Sequence, residues 1–380
     1  MSQSRPQLQY DSPSSQDGDS RRSGIPSINP SETNDSVTSL GSFSVELAVD
    51  HDDSDVDSAM FETSREPSSA SLSSSIFHFV EEHGRTYHRY KEGKYWMPND
   101  ARERERLDLQ HIICLKVFRG QLALAPIQSP HRVLDFGTGT GAWAIDFARE
   151  HSESDVLGTD LSPIQPEFVP PNCRFEIDDI EDEWVFSHKF DYIHSRHMVG
   201  SLTNFPKLFR SIYENLNPGG WVEMQDYHVK LRSIDGTLEG TALQRWNLLL
   251  NHALSFTKRS GLQAVRYKHW MKEVGFLDIR EELFAVPGNP WAKGREQKEL
   301  GALQLENILE GLHGMSMSLF TKFLGMRSEE VEAMLIDVRK DLQNRDIHFY
   351  YPMLVCYPVL GSRQWLTQRA SMSVYGRKPT

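Results

Sequence analysis

The pattern of apolar and polar positions changes character near residue 75. Before it Ser, Asp, Pro and Gln dominate with hardly an aromatic, and His51, Asp52, Asp53, Ser54, Asp55, Val56 and Asp57 form an acidic run. Such a stretch cannot bury enough apolar area to offset its ordering entropy, so residues 1–75 are expected to be a disordered tail. Beyond it the periodicity of residues 76–87 predicts a short helix closed by Gly84. An aromatic-rich loop follows at Tyr95, Trp96 and Met97, and Asn99 or Asp100 can cap a strongly charged helix. In that helix Leu107, His111, Ile112, Leu115 and Phe118 share one face. Residues 76–125 thus read as a helical arm, with Tyr87, Tyr95 and Trp96 either covering a pocket or simply packing.

From residue 126 strands and helices alternate. Val133 and Leu134 make a buried strand, Gly137, Gly139 and Gly141 a tight turn, and residues 142–148 a helix. Val156, Leu157, Gly158, Thr159 and Asp160 end a second strand, residues 173–177 form a third, and residues 190–197 a fourth that runs out into a polar tip. An amphipathic helix over residues 205–216 is stopped by Asn217, Pro218, Gly219 and Gly220, and Trp221 begins a fifth strand. Helices are expected at residues 243–258 and 265–274, a sixth strand at 277–286, and a last one from 347 to 353. The stripe Leu300, Leu303, Gln304, Ile308, Leu312, then Met315, Met317, Phe320, Leu324, then Val331, Leu335, Val338, Leu342 predicts successive helices over 296–344, as core or as a pocket lid. The alternation is that of a doubly wound α/β domain, and its first βα turn is where backbone approaches a nucleotide.

Composition narrows the chemistry. A net charge of −12 excludes a general nucleic-acid binder, which needs a concentrated basic surface. Three cysteines, Cys114, Cys173 and Cys356, lie far apart with no CxxC pair, which fits a reducing compartment and neither a disulfide framework nor a zinc site. With no apolar leader and no run of membrane-spanning length, the expectation is a soluble intracellular protein, cytoplasmic or, as the alternative, nuclear.

The glycine spacing alone also satisfies a dinucleotide pattern through Gly137, Gly139 and Ala142. Asp135, two residues before the first glycine, discriminates. A carboxylate there would repel the pyrophosphate of NAD or FAD, whereas S-adenosylmethionine (SAM) carries an ammonium and a sulfonium and no phosphate. The expected cofactor site is Asp135, Gly137, Thr138, Gly139 and Gly141, joined by Asp160, placed to accept from the ribose hydroxyls, and by Asp179 with Ile180 at the adenine. The other acids among residues 178–183 read as a solvated loop, and Trp184 as a pocket wall or an anchor. At the tip of the fourth strand His194, Arg196 and His197 are positioned to face the transferred methyl group, with His197 or His194 as general base.

These residues resemble the LaeA-like family of fungal SAM-dependent methyltransferases. The resemblance is carried by Glu82-His83-Gly84-Arg85-Thr86-Tyr87-His88, by Gly137-Thr138-Gly139-Thr140-Gly141 with Trp143-Ala144-Ile145-Asp146, and by Gly158-Thr159-Asp160-Leu161-Ser162-Pro163-Ile164-Gln165-Pro166. Pro171-Asn172-Cys173-Arg174-Phe175, Leu216-Asn217-Pro218-Gly219-Gly220-Trp221 and the run from Gly236 to Leu243 extend it, from about Phe79 to the C-terminus. It implies a Rossmann-like class I fold of seven strands, mostly parallel with the last antiparallel, bearing the helical arm and a helical insertion. It also implies either a methyltransferase that modifies a small-molecule acceptor of secondary metabolism, or a nuclear regulator working with velvet-type partners. One departure stands out: about twenty residues, 354–372, separate Tyr350-Tyr351-Pro352-Met353 from a Val374-Tyr375-Gly376-Arg377-Lys378-Pro379 tail that should follow directly. They read as an insertion, such as retained intron sequence, that leaves two segments for one strand position.

Overall fold

The computed structural model describes residues 47–50, 79–91 and 93–358, with the backbone alone of Tyr357, Pro358 and residues 375–377. The expected tail otherwise lies outside the described residues. Residues 47–50 do not stand free. Val49 bridges Ala292, Lys293 N donates to Ala48 O (2.7 Å), Lys298 Nζ pairs with Asp50 (2.7 Å), and Leu47 packs near Trp291 and Tyr350.

The expected helix over residues 76–87 is a hairpin instead. β1 (Phe79–Glu82) and β2 (Arg85–His88) pair antiparallel around His83 and Gly84, whose φ angles are +50° and +71°. Two successive positive-φ residues make the turn whose twist suits a two-residue hairpin, and Gly84 serves that turn rather than a helix end. Asp100 caps α1 (Ala101–Val117), accepting from Glu103 N at 3.0 Å. The face α1 buries is Glu103, Arg106, His111, Ile113 and Cys114, while Ile112 is 48% exposed. The apolar spacing misjudged it because this face is partly polar: Glu103 grips Arg106, and Arg106 Nη1 donates to Asn307 (2.8 Å).

β3 (Arg132–Phe136), α2 (Ala142–Glu150), β4 (Asp155–Asp160), β5 (Cys173–Ile177), β6 (Phe190–Arg196), α3 (Phe205–Asn215) and β7 (Leu216–Tyr227) form the doubly wound half. Asn204 caps α3, and Phe205, Leu208, Phe209 and Ile212 form its buried stripe. The remainder is β8 (Arg232–Ser233), α4 (Ala242–Phe256), α5 (Tyr267–Val274), β9 (Ile279–Pro287), α6 (Arg295–Leu324), α7 (Ser328–Gln343), β10 (Phe349–Pro358) and β11 (Tyr375–Arg377). The strand order is β5-β4-β3-β6-β7-β10-β8, with β9 beside β10 and β11 beside β7. β3 to β7 run parallel and β10 antiparallel to β7 and β9, so the seven expected strands are present with short β8 and β11 added. The order reverses at β3, between β4 and β6, which puts the ligand crevice beyond the tips of β3 and β6.

The first two of the expected helices in 296–344 are one, α6, running through Gly314. Its interior glycines admit neighbours: a Cβ on Gly314 would lie 3.0 Å from Pro98, and one on Gly311 3.0 Å from Arg106. With α7 and α4 it builds a core of Leu243, Trp246, Leu312, Phe320, Leu335 and Val338.

β10 overruns its expected end. Leu354, Val355 and Cys356, inside the stretch expected to be inserted, pair with β7 at Asp226, Gln225 and Met224 and belong to the sheet. β11 then takes the next partner along β7, Tyr375 opposite Glu223.

Candidate active site

Beyond the strand tips lies one continuous cavity of about 270 Å³. At one end is the glycine turn. The Asp135 carboxylate is buried and held by Thr138 Oγ1 (2.6 Å) and His194 Nδ1 (2.8 Å), and His194 is itself fixed by stacking on Trp143 at 3.6 Å. Asp160 accepts from Gly139 N (2.8 Å) and Ser162 N (2.9 Å), while Gln165 Nε2 donates to Gly139 O (2.7 Å). The Asp160-to-Gln165 motif thus clamps the turn from both sides. Burial pushes the Asp160 carboxyl up to about 6 against those hydrogen bonds.

Of the expected cofactor residues, Asp135, Gly137, Thr138, Gly139, Asp160, Asp179 and Ile180 line this cavity together. Gly141 is not among the lining residues. It begins α2 at φ +82°, and a Cβ there would lie 2.3 Å from the Phe175 ring, so its glycine answers to packing. Gly137 has φ +67°, and a Cβ on it would meet Met198 Sδ at 2.3 Å. The space beside its Cα is taken by the Met198 side chain.

The acidic loop is more than a solvated run. Asp179 binds Lys91 Nζ (2.7 Å) and Lys94 Nζ, Asp182 binds Lys91 Nζ, and Glu181 accepts from Thr203 N (2.7 Å) and Asn204 N (3.0 Å) before α3. Burial would raise the Asp179 carboxyl, but its two lysines outweigh this and hold it below the ordinary carboxylate range. Trp184 anchors the loop, donating to Ile180 O at 2.9 Å, and lies off the cavity wall.

The other end is apolar, walled by Trp96, Tyr227, Val229, Leu250, Leu254 and Met315. Tyr95 and Trp96 line the cavity and Tyr87 does not. The loop bearing them is tied down by Trp96 Nε1 on Gly200 O (3.1 Å) and by Arg259, which spans from Lys94 O to Ser201 O (2.9 Å). From α6 and α7 only Met315 appears among the lining residues, so those helices are core and wall rather than lid. His197 sits here at φ +58°, a backbone conformation that a residue with a Cβ adopts at a cost. Its ring stacks on Tyr227 at 5.0 Å, its Nε2 meets Cys114 Sγ at 3.4 Å, and its Nδ1 has no hydrogen-bond partner among the described residues. Burial first, then the positive charges of Arg196 and Arg106, drive its pKa well below the ordinary value, so the ring is neutral near pH 7. Asp226 braces the same loop, accepting from Val199 N (2.9 Å) and Tyr267 OH (2.7 Å), and burial raises its carboxyl to about 7.

A methyltransferase-domain family model matches residues 109–281. Methyltransferase pytC of Aspergillus terreus is 38% identical over 79% of this chain and 93% of its own. The secondary metabolism regulator laeA of Aspergillus fumigatus is 35% identical over 71% of this chain and 74% of its own. Protein-methionine methyltransferase laeA of Emericella nidulans is 33% identical over 72% and 74%. The chain belongs to the LaeA-like family of fungal SAM-dependent methyltransferases.

SAM is accordingly the cofactor of this methyltransferase. The residues present suit it, with a buried carboxylate at Asp135 and a half-buried one at Asp160 on either side of the glycine turn. Spacing alone had pointed to none of Lys91, Lys94, Arg106, Cys114, Tyr227 and Leu254. They come from distant segments, and no local pattern marks them. Among the described residues no helix is long and apolar enough to cross a membrane.

Proposed function

We propose that this methyltransferase transfers a methyl group to an oxygen or nitrogen atom of a small-molecule acceptor in fungal secondary metabolism. The observation that carries this reading is the apolar compartment continuous with the glycine turn, holding a neutral, half-satisfied imidazole at His197. Asp135, Gly137, Thr138, Gly139, Asp160, Asp179 and Ile180 hold the cofactor, with Gly141 supporting the turn. Bound SAM supplies an electrophilic methyl group.

The protein's own work is positioning and proton removal. With Nε2–H directed at Cys114, His197 Nδ1 offers a lone pair to the acceptor proton. Its low basicity as a free imidazole keeps it unprotonated, and Tyr227 and Asp226 fix its loop. His194 does a different job: its Nδ1 orients Asp135, so it acts through that carboxylate rather than on the acceptor. The apolar walls exclude water and align the acceptor, which supplies much of the acceleration in a displacement of this kind.

A second reading is a nuclear regulator acting through velvet-type partners, with a protein as methyl acceptor. The names of the laeA relatives and residues 1–75 favour it. Profiling metabolites of a deletion strain separates the two: one missing methylated product supports the enzyme, and many silenced pathways support the regulator. Purified protein that fails to bind SAM in calorimetry ends both methyl-transfer readings.

A further inference from the structure

A glycine is needed where φ is positive or where a neighbour packs against its Cα. Of the three glycines lining the cavity, Gly137 and Gly139 sit at φ +67° and +57°. Gly200 is the third, and neither reason holds for it. Its φ lies outside the left-handed region. A Cβ built on it would have two neighbours within 4 Å among the described residues, Leu254 Cδ1 and Trp96 Cζ2, each at 3.9 Å. That is ordinary van der Waals contact, so a methyl group fits there without strain. Gly158 and Gly301 also lack a positive φ, but there a Cβ would lie 2.5 Å and 2.2 Å from packed atoms, and the glycine makes room for protein. At Gly200 the missing side chain makes room in the cavity itself.

The walls of that space are anchored. Trp96 Nε1 donates to Gly200 O (3.1 Å), which holds the indole beside the glycine. The loop is braced on either side of Gly200: Val199 N donates to Asp226 (2.9 Å), Ser201 N to Met198 O (2.9 Å) and Arg259 Nε to Ser201 O (2.9 Å). Leu254 is buried in the core that α4 shares with α6 and α7. A braced backbone flanked by two fixed side chains does not collapse onto the gap, so the gap is a shaped part of the compartment. The two atoms that face it, an aromatic carbon and a methyl, suit carbon and not a hydroxyl or a charge. Resting on the reading that the apolar end receives a small-molecule acceptor, we propose that Gly200 is a specificity-determining residue. It admits an apolar extension of the acceptor against Trp96 and Leu254, and any larger side chain at this position restricts the enzyme to narrower acceptors.

The test uses the full chain saturated with S-adenosylhomocysteine, titrated by NMR with phenol and with 2-naphthol, neutral probes that differ by one fused ring. Calorimetry measures S-adenosylhomocysteine itself. Gly200→Ala is expected to weaken 2-naphthol about 10-fold, the scale of one methylene in an apolar pocket, and Gly200→Val by more. Phenol should change less than threefold and S-adenosylhomocysteine less than twofold in both variants. Should Gly200→Val not fold, Gly200→Ala still decides, because its methyl meets its neighbours at contact distance. Unaltered 2-naphthol affinity in Gly200→Ala puts the gap outside the acceptor compartment and overturns the proposal. An equal loss for phenol and 2-naphthol marks a disturbed loop, and a loss of S-adenosylhomocysteine affinity assigns the gap to the cofactor; either result also overturns it. A wild-type complex that binds neither probe sinks the acceptor reading beneath the proposal, a result distinguishable from all of these.

Discussion

The two ends of the cavity are built on different plans. The glycine-turn end comes from neighbours in sequence: Asp135, Gly137, Thr138 and Gly139 are nearly consecutive, and Asp160 sits at the tip of the adjacent strand. Its two carboxylates, Asp135 and Asp160, are already paired, to Thr138, His194 and backbone N–H groups, before any ligand enters. The acceptor end draws on the Trp96 loop, the tips of β6 and β7, α4 and α6, and among the described residues it carries unsatisfied atoms at Arg196 and His197. A pre-paired end binds one invariant ligand with little reorganisation. An end made of distant side chains with idle donors and acceptors is where specificity is set.

The largest effect should come from the acceptor end. His197→Ala is expected to lower kcat by about 10²- to 10⁴-fold, the usual contribution of a positioned base, and to leave SAM affinity within twofold. If turnover persists, the acceptor proton leaves by another route and that compartment loses its chemistry. At the other end Asp135→Asn should weaken SAM by about 100-fold, because an ionic partner is lost and His194 keeps only a neutral one. Equal affinities for mutant and wild type in calorimetry would mean that Asp135 is only a prop for the turn.

Gly141→Ala sharpens the distinction between ligand and scaffold. Its positive φ and the Phe175 ring predict a stability loss of about 2 kcal/mol. Chemical denaturation should show that loss while SAM affinity in the cold stays near wild type; the reverse outcome would make Gly141 a cofactor contact. Asp160 offers a pH handle of smaller size. Its folded carboxyl titrates near 6, above the ordinary value, so between about pH 4 and 6 the folded protein holds a proton that the unfolded chain has released. Its contribution to apoprotein stability therefore falls as pH rises through that window. SAM affinity should move the opposite way, weakening below about pH 6, if Asp160 is the proposed acceptor of the ribose hydroxyls. Asp160→Asn should flatten both profiles; thermal melts and calorimetry across pH 4–8 read them.

The smallest effect concerns the C-terminal strand. Cys356 and Tyr375 face consecutive residues of β7, Met224 and Glu223, so joining them keeps both sides in register. We propose that the eighteen residues 357–374 are the inserted stretch, a boundary shifted from the one the sequence suggested. Excising them should change the melting temperature by no more than a few degrees, since β7 keeps every partner and β9 loses only the pairs at Tyr357 and Pro358. Loss of folding in that deletion would make the segment integral, and an abundant transcript encoding it would remove the intron explanation.

Where sequence reading went astray, competing physics is identifiable. The His83–Gly84 pair sat between alternating positions and was a hairpin turn, but weak apolar periodicity suggested a helix. α1 hides a charged face because Arg106 and Glu103 neutralise each other there. α6 runs through its glycines because close approach of the arm offsets the roughly 1 kcal/mol that a mid-helix glycine costs. The acidic residues after β5 found Lys91 and Lys94, more than eighty residues earlier in the chain, pairings that no spacing rule reaches.

By itself the sequence determined the order of strands and helices, the turn at Gly137 and the charge that favours SAM. Those depend on neighbours along the chain, on side-chain periodicity and on the sign of Asp135. Only the tertiary structure decided that His194 serves Asp135 while His197 stays neutral, that Gly141 answers to Phe175, and that Arg196, alone of the Lys and Arg residues lining the cavity, lacks a carboxylate among the described residues. Protonation and pairing are fixed by burial and by partners scores of residues away, and those exist only once the chain is folded.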